Sequence, residues 1–170
     1  MSRIHVCSLA KIEDTVRETG ARSLITLINA DTPVTRPTII TSERHLLLSM
    51  SDIVEPIEGH LPPQSAHVDT LLTFVRHWDR REPLLIHCFA GVSRSTAAAF
   101  ITACALLPSR NESELAQLIR TRSPTATPNA LLVSLADQAL GRGGRMSHAV
   151  SAIGMGEMCY EGVPFMLEID

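Results

Sequence analysis

Three short runs of almost unbroken apolar residues mark the first half of the chain: "SLITLIN" (23–29), "HLLLSM" (45–50) and "PLLIHC" (83–88). None shows the polar alternation of a half-exposed strand, so each reads as a strand covered on both faces. "RIHVCSL" (3–9) reads as a fourth strand, and "TII" (38–40) offers a fifth. The segments between and after these runs carry helical spacing. In 8–20, Leu9, Ile12 and Val16 share a face, with Ser8 as cap and Gly20 as stop. In 65–80, Val68, Leu71, Leu72, Val75 and Trp78 form one stripe. Asn111 and Glu114 stand at capping-box spacing at the head of "NESELAQLIR". "TPNALLVSLADQALG" offers Thr127 as cap, Pro128 at the first helical position and Gly141 just past the end.

Strands alternating with helices predict an α/β fold, a central four- to five-stranded, mostly parallel sheet flanked by helices on both faces. Such sheets place ligands at the carboxyl ends of their strands. Cys88 closes the 83–88 run, and "FAGVSRSTAAAFITACALL" follows it, a small-residue loop running into an alanine-rich helix.

Composition narrows the reading. A chain of 170 residues, 45% of them hydrophobic, suits one domain with a substantial core. The periodic pattern ends near residue 145, giving a domain over 1–145. A tail, 146–170, has apolar content that predicts packing on the domain or a partner. A net charge of −3 provides no global field for nucleic acid or an anionic membrane, so any anion site must be local. No apolar run approaches the ~18 residues of a membrane span, and the first twenty residues reach charge too soon for a signal peptide. The expectation is a cytoplasmic protein. Cys7, Cys88, Cys104 and Cys159 are widely spaced with no C-x-x-C pair, which argues against both a zinc site and a disulfide scaffold. Neither a metal nor a cofactor is expected.

Residues 88–94 carry the chemistry. Ala90, Gly91 and Ser93 are small enough for successive backbone N–H groups to turn inward as an anion nest, and the following helix adds its positive end. Arg94 supplies a fixed fork of donors matched to two phosphate oxygens. Dipoles, helix end and guanidinium each favour thiolate over thiol at Cys88. A thiolate beneath a cradled phosphate can attack phosphorus in line. The loop lacks the second glycine and the lysine of a Walker A sequence, which disfavours nucleotide triphosphate binding.

"HCFAGVSRS" fills each defining position of H-C-x-x-G-x-S-R-S, and so resembles the signature loop of the cysteine-based protein tyrosine phosphatase superfamily, in its dual-specificity branch. The resemblance extends to "TATPNALL" downstream and covers roughly residues 1–145. It implies a phosphatase-type α/β fold and hydrolysis of phosphoesters through a phosphocysteine. By position, Cys88 resembles the nucleophile, Arg94 the phosphate clamp, and Ser95 the hydroxyl that helps expel the thiolate. His87 resembles the residue that orients the loop and tunes the thiol. The backbone amides of Phe89, Ala90, Gly91, Val92, Ser93 and Arg94 would bind the phosphate oxygens.

The resemblance also implies a general acid, an aspartate on a loop upstream of the cysteine. The Trp-Pro-Asp of tyrosine-specific enzymes is absent, and Asp52, in "LLLSMSDIVEPIEGHLPP", holds the corresponding place after a strand. Glu55 and Glu58 share its loop, Asp31 follows another strand end, and His60 is either a cleft residue or an exposed loop residue. Asn129 is either a neighbour of the signature loop or an ordinary first-turn helix residue. Arg142 and Arg145, near a helix end, suit its dipole better than a basic patch.

With no aromatic residue in 30–44 to wall a deep cleft, the resemblance implies a shallow pocket for phosphotyrosine, with phosphoserine or phosphothreonine open. The partners it implies are a phosphorylated protein or a small phosphoester. Three alternatives stand beside it. A phosphopeptide-binding pseudophosphatase usually lacks the cysteine or arginine kept here. Phosphoinositide phosphatases carry lysines in the loop that are missing here. Sulfur-transfer or arsenate-reducing enzymes also use an activated thiol, but no resolving cysteine stands nearby.

Overall fold

The computed structural model describes residues 1–170, which form one five-stranded sheet and six α-helices. β1 (Arg3–Cys7), β2 (Ser23–Ile28), β3 (His45–Ser49) and β4 (Leu84–His87) run parallel, in the spatial order β3-β2-β4-β1. β5 (Phe165–Glu168) joins the free edge of β1 antiparallel. β2 and β4 are interior strands and are buried at every position, which explains their unbroken apolar sequence. β3 lies at an edge and keeps Leu47 about half exposed.

The helices cover the two faces unevenly. α1 (Ile12–Thr19) packs alone on one side, where Ile12 and Val16 meet Cys7, Leu24, Leu85 and Ile40. α2 (Ser65–His77), α3 (Arg94–Leu106), α4 (Glu112–Arg122), α5 (Ala130–Leu140) and α6 (Arg145–Ile153) share the other side and its larger core. α3 is buried along nearly all its length, and Ala97, Ala98 and Ala99 let it lie close to the sheet beside Phe100. This central position sends the start of α3 to the carboxyl end of the central strand β4.

Several sequence expectations need correction. Residues 38–40 form a turn, closed by the Ile40 N–H on the Pro37 carbonyl and by the Arg36 guanidinium on the Ile40 carbonyl. Ile40 is buried as a plug in the α1 core, and the fifth strand comes instead from 165–168. Ser8 makes no cap: a 3₁₀ turn at 9–11 precedes α1, and the Ser8 hydroxyl donates to Glu161. Asn129, not Thr127, caps α5, its Oδ1 accepting from the Leu132 N–H, so Pro128 stands outside the helix. Asn111 does cap α4, accepting from the N–H groups of Ser113 and Glu114. Past residue 145 the chain forms α6 and β5, and Ser2 N–H donates to the Asp170 carboxylate beside them.

Arg142 does not serve the end of α5. It is buried, ion-pairs with Glu112 at 2.9 Å and donates to the Cys104 carbonyl at 2.7 Å, joining the start of α4 to the last turn of α3. Removing one partner of a buried pair leaves the other charge uncompensated. Arg142→Ala is therefore expected to lower stability by about 3 kcal/mol, seen as a reduced urea midpoint at unchanged slope.

Candidate active site

The segment 88–93 crosses from β4 to α3 with its carbonyls turned outward, and its surroundings hold them there. His87 Nδ1 lies 2.9 Å from the Cys88 carbonyl, Leu9 N–H donates to Phe89 O at 3.0 Å, and Gly162 N–H donates to Ala90 O at 2.8 Å. Thr127 N–H and the Thr96 hydroxyl take Val92 O at 2.9 and 2.6 Å, and the N–H groups of Ala97 and Asn129 take Ser93 O at 3.0 and 3.2 Å. With the carbonyls fixed outward, the peptide N–H groups face inward. Gly91 N–H points at Cys88 Sγ, 3.3 Å away, while the N–H groups of Phe89, Ala90, Val92 and Ser93 donate to no protein group. Gly91 has φ 72°, and a Cβ there would sit 2.8 Å from the Cys7 carbonyl carbon, so the turn requires glycine.

Cys88 is buried at the floor of this cradle, with Sγ 3.1 Å from Ser95 Oγ. Arg94, 5% exposed, closes one side. Its Nη1 donates to Asn29 Oδ1 at 2.7 Å and to the Met50 carbonyl at 2.8 Å, while Nε is buried without a protein partner. Orphaned N–H donors converging with a half-used guanidinium fit a tetrahedral oxyanion. The other core thiols have no such setting: burial pushes Cys7 and Cys104 up to about 12.

Asp52 reaches the mouth of the cradle. Its Oδ1 accepts from the Ser93 hydroxyl at 2.7 Å and from the Asn129 amide at 2.9 Å, and Asn129 also donates to the Ile53 carbonyl. Asn129 is thus at once the cap of α5 and the tether of Asp52. Glu55 lines the open groove beside Asp52, and Glu58 is exposed on the same loop. Asp31 and His60 line a separate cavity with Asn29 and Ser51, and His60 Nδ1 lies 3.2 Å from Ser51 Oγ.

His87 is fully buried beneath the loop. A carbonyl only accepts, so Nδ1 carries the proton toward Cys88 O and Nε2 accepts from the Thr26 hydroxyl at 2.7 Å. Thr26 Oγ1 in turn lies 2.8 Å from His45 Nε2. Burial pushes the His87 imidazole down to about 4, against the raising effect of its bond to the Cys88 carbonyl. The His45 and Arg94 charges add to the lowering. His87 is therefore a neutral strut that fixes the Cys88 peptide.

The sequence alone did not bring out Asn29, Thr26, Ser51 or Gly162. Asn29 carried a visible signal, a polar residue ending an apolar strand. Gly162 carried none, because its contact with Ala90 spans 72 residues of chain.

The protein-tyrosine phosphatase family model matches residues 56–123, the stretch that holds β4, the 88–93 loop and α3. Over this stretch the chain is similar to the protein-tyrosine phosphatase family. Among solved structures, PTP-2 phosphatase of Cydia pomonella is 20% identical with a TM-score of 0.62, over 79% of this chain and 84% of that one. DUSP15 is 18% identical with a TM-score of 0.63, over 91% and 94%. PTPMT1 in complex with PI(5)P is 14% identical with a TM-score of 0.59, over 88% and 93%. No curated protein sequence matches the chain. At these identities the structural likeness speaks for the phosphatase fold.

A depressed imidazole ties stability to pH. An unfolded His87 titrates near 6.5 and the folded one near 4, so the unfolded state binds more protons between these values. This contribution is complete above about pH 6.5 and is lost as pH falls toward 4, to an extent of roughly 3 kcal/mol. Urea unfolding across this window is expected to be clearly less pH-dependent in His87→Gln than in the parent.

Proposed function

We propose that the protein hydrolyses phosphate monoesters through a phosphocysteine at Cys88, acting on phosphotyrosine and, through a shallow pocket, on phosphoserine or phosphothreonine. The observation that carries this reading is the ring of unpartnered N–H donors and the Arg94 Nε around Cys88 Sγ. In the first step the Cys88 thiolate forms an S–P bond as the ester P–O bond breaks, and Asp52 gives its proton to the departing oxygen. The loop amides and Arg94 hold the three equatorial oxygens, whose charge rises in the transition state. In the second step water attacks phosphorus, its proton passes to Asp52, and the S–P bond breaks. The Ser95 hydroxyl, already in hydrogen-bond contact with Sγ, donates to the thiolate as it leaves.

The surroundings of the cradle favour a singly phosphorylated group on a protein over a polyphosphorylated lipid headgroup. The segments that touch the loop, Arg94 or Asp52 are 7–11, 29–31, 50–61, 124–130 and 156–162. They carry Asp31, Glu55, Glu58, Glu157 and Glu161 besides Asp52, and one cation, Lys11. Further phosphates would find mostly carboxylates there. Phe89, 61% exposed on the loop itself, offers an aromatic face that residues 30–44 lack.

Two tests follow. Release of nitrophenol from para-nitrophenyl phosphate, with EDTA present, is expected from the parent and not from Cys88→Ser, which retains vanadate binding. Turnover persisting in Cys88→Ser would remove the phosphocysteine. Asp52→Asn is expected to slow an alkyl phosphate by about 10²- to 10⁴-fold, the range of general acid catalysis, and para-nitrophenyl phosphate much less. Equal slowing of both esters would take the acid role from Asp52.

A further inference from the structure

The signature loop does not aim the Arg94 guanidinium by itself. Nη1 is tied outside the loop, to Asn29 Oδ1 at the end of β2 and to the Met50 carbonyl at the end of β3. Nη1 stands on the Cδ side of the guanidinium, away from the Nε–H, so this tether leaves the Nε–Nη2 edge as the side-on fork, and neither of those nitrogens donates to a protein group. That edge is the one able to grip two oxygens of a bound phosphate.

Asn29 is itself oriented. Arg94 can only donate, so the amide must present Oδ1 to it and turn Nδ2 the other way. Nδ2 there reaches Ser51 Oγ at 3.4 Å, and Ser51 Oγ lies 3.2 Å from His60 Nδ1. Ser51 N–H also donates to the Leu61 carbonyl at 2.7 Å, which closes the neck of the loop bearing Asp52. Asn29, Met50, Ser51, His60 and Leu61 line one cavity of about 270 Å³. A neutral amide is the apt partner: a carboxylate at this place would also orient the guanidinium, but would cancel the charge intended for the phosphate.

We propose that Asn29 is a positioning residue for phosphate capture: it holds Arg94 with the Nε–Nη2 edge toward the cradle, and Ser51 and His60 fix the amide that does so. This rests on the phosphate-monoester reading given above.

Vanadate affinity, measured by titration in Asn29→Ala, Arg94→Ala and the double variant, tests it without requiring turnover. Asn29→Ala is expected to raise the vanadate Kd by about tenfold or more, the effect of losing one hydrogen bond to a charged group. In the Arg94→Ala background the same substitution is expected to change it less than about twofold, since the two residues act through one another. Ser51→Ala, which leaves Arg94 its direct partner, is expected to give a smaller rise of about two- to threefold, again lost without Arg94. Should Asn29→Ala not fold, the Ser51→Ala pair carries the test alone. Unchanged affinity in a folded Asn29→Ala, or an equal rise in both backgrounds, overturns the positioning role. Failure of the parent to bind vanadate overturns the phosphate reading beneath it.

Discussion

Everything at this site depends on the outward carbonyls of residues 88–93 being held from outside. A peptide plane that turns its oxygen one way turns its N–H the other. Leu9, the pair Thr127 and Asn129, and Gly162 come from three separate parts of the chain, and each of the four residues secures one oxygen with a backbone N–H. The inward N–H groups and their partial positive charge are the result, and they come from backbone alone. This is why a loop of Phe, Ala, Gly, Val and Ser, with no charge of its own, can form an anion site.

The second constraint is the division of labour on Arg94. A long, flexible, permanently charged side chain is costly to immobilise. The fold meets that cost with two oxygens that belong to different strand ends. One is a main-chain carbonyl, insensitive to sequence, and the other an amide whose direction is set by its own neighbours. Asp52 receives similar treatment from Ser93 and Asn129, so the two side chains that flank the thiol are each held by paired contacts. His87 completes the arrangement from below as an uncharged strut, kept so by burial.

The strand runs and the H-C-x5-R loop were legible in the sequence because both are local. Apolar continuity at 23–28 and 84–87 follows directly from burial on both faces. The small residues from Ala90 to Ser93 follow from the geometry of a nest. What escaped was non-local. The edge strand 165–168 has only four residues, and its existence depends on the unpaired side of β1, which no periodicity reveals. The contacts of Asn29 and Gly162 likewise depend on which segments the fold brings together. The Ser8 and Thr127 caps failed for a related reason: both residues have cap chemistry, but other partners claim their hydroxyls, Ser8 donating to Glu161 and Thr127 donating to the Thr125 carbonyl and accepting from the Gly156 N–H. Arg142 had the composition of a surface residue and became a buried bridge because the end of α3 and the start of α4 lie beside each other.

The contact between Gly162 and Ala90 also sets an order of events during synthesis. The loop and its cysteine are made ahead of α3, but the donor that secures Ala90 O lies 72 residues further along, next to an edge strand that pairs with β1. Contacts of such separation close last, because the intervening chain must already be ordered. The nascent protein therefore holds its cysteine beside an unfinished cradle until Gly162 has been made. The cradle is completed only as this segment docks, so a chain cut short before Gly162 would keep the full signature sequence without the donor that fixes the Ala90 peptide.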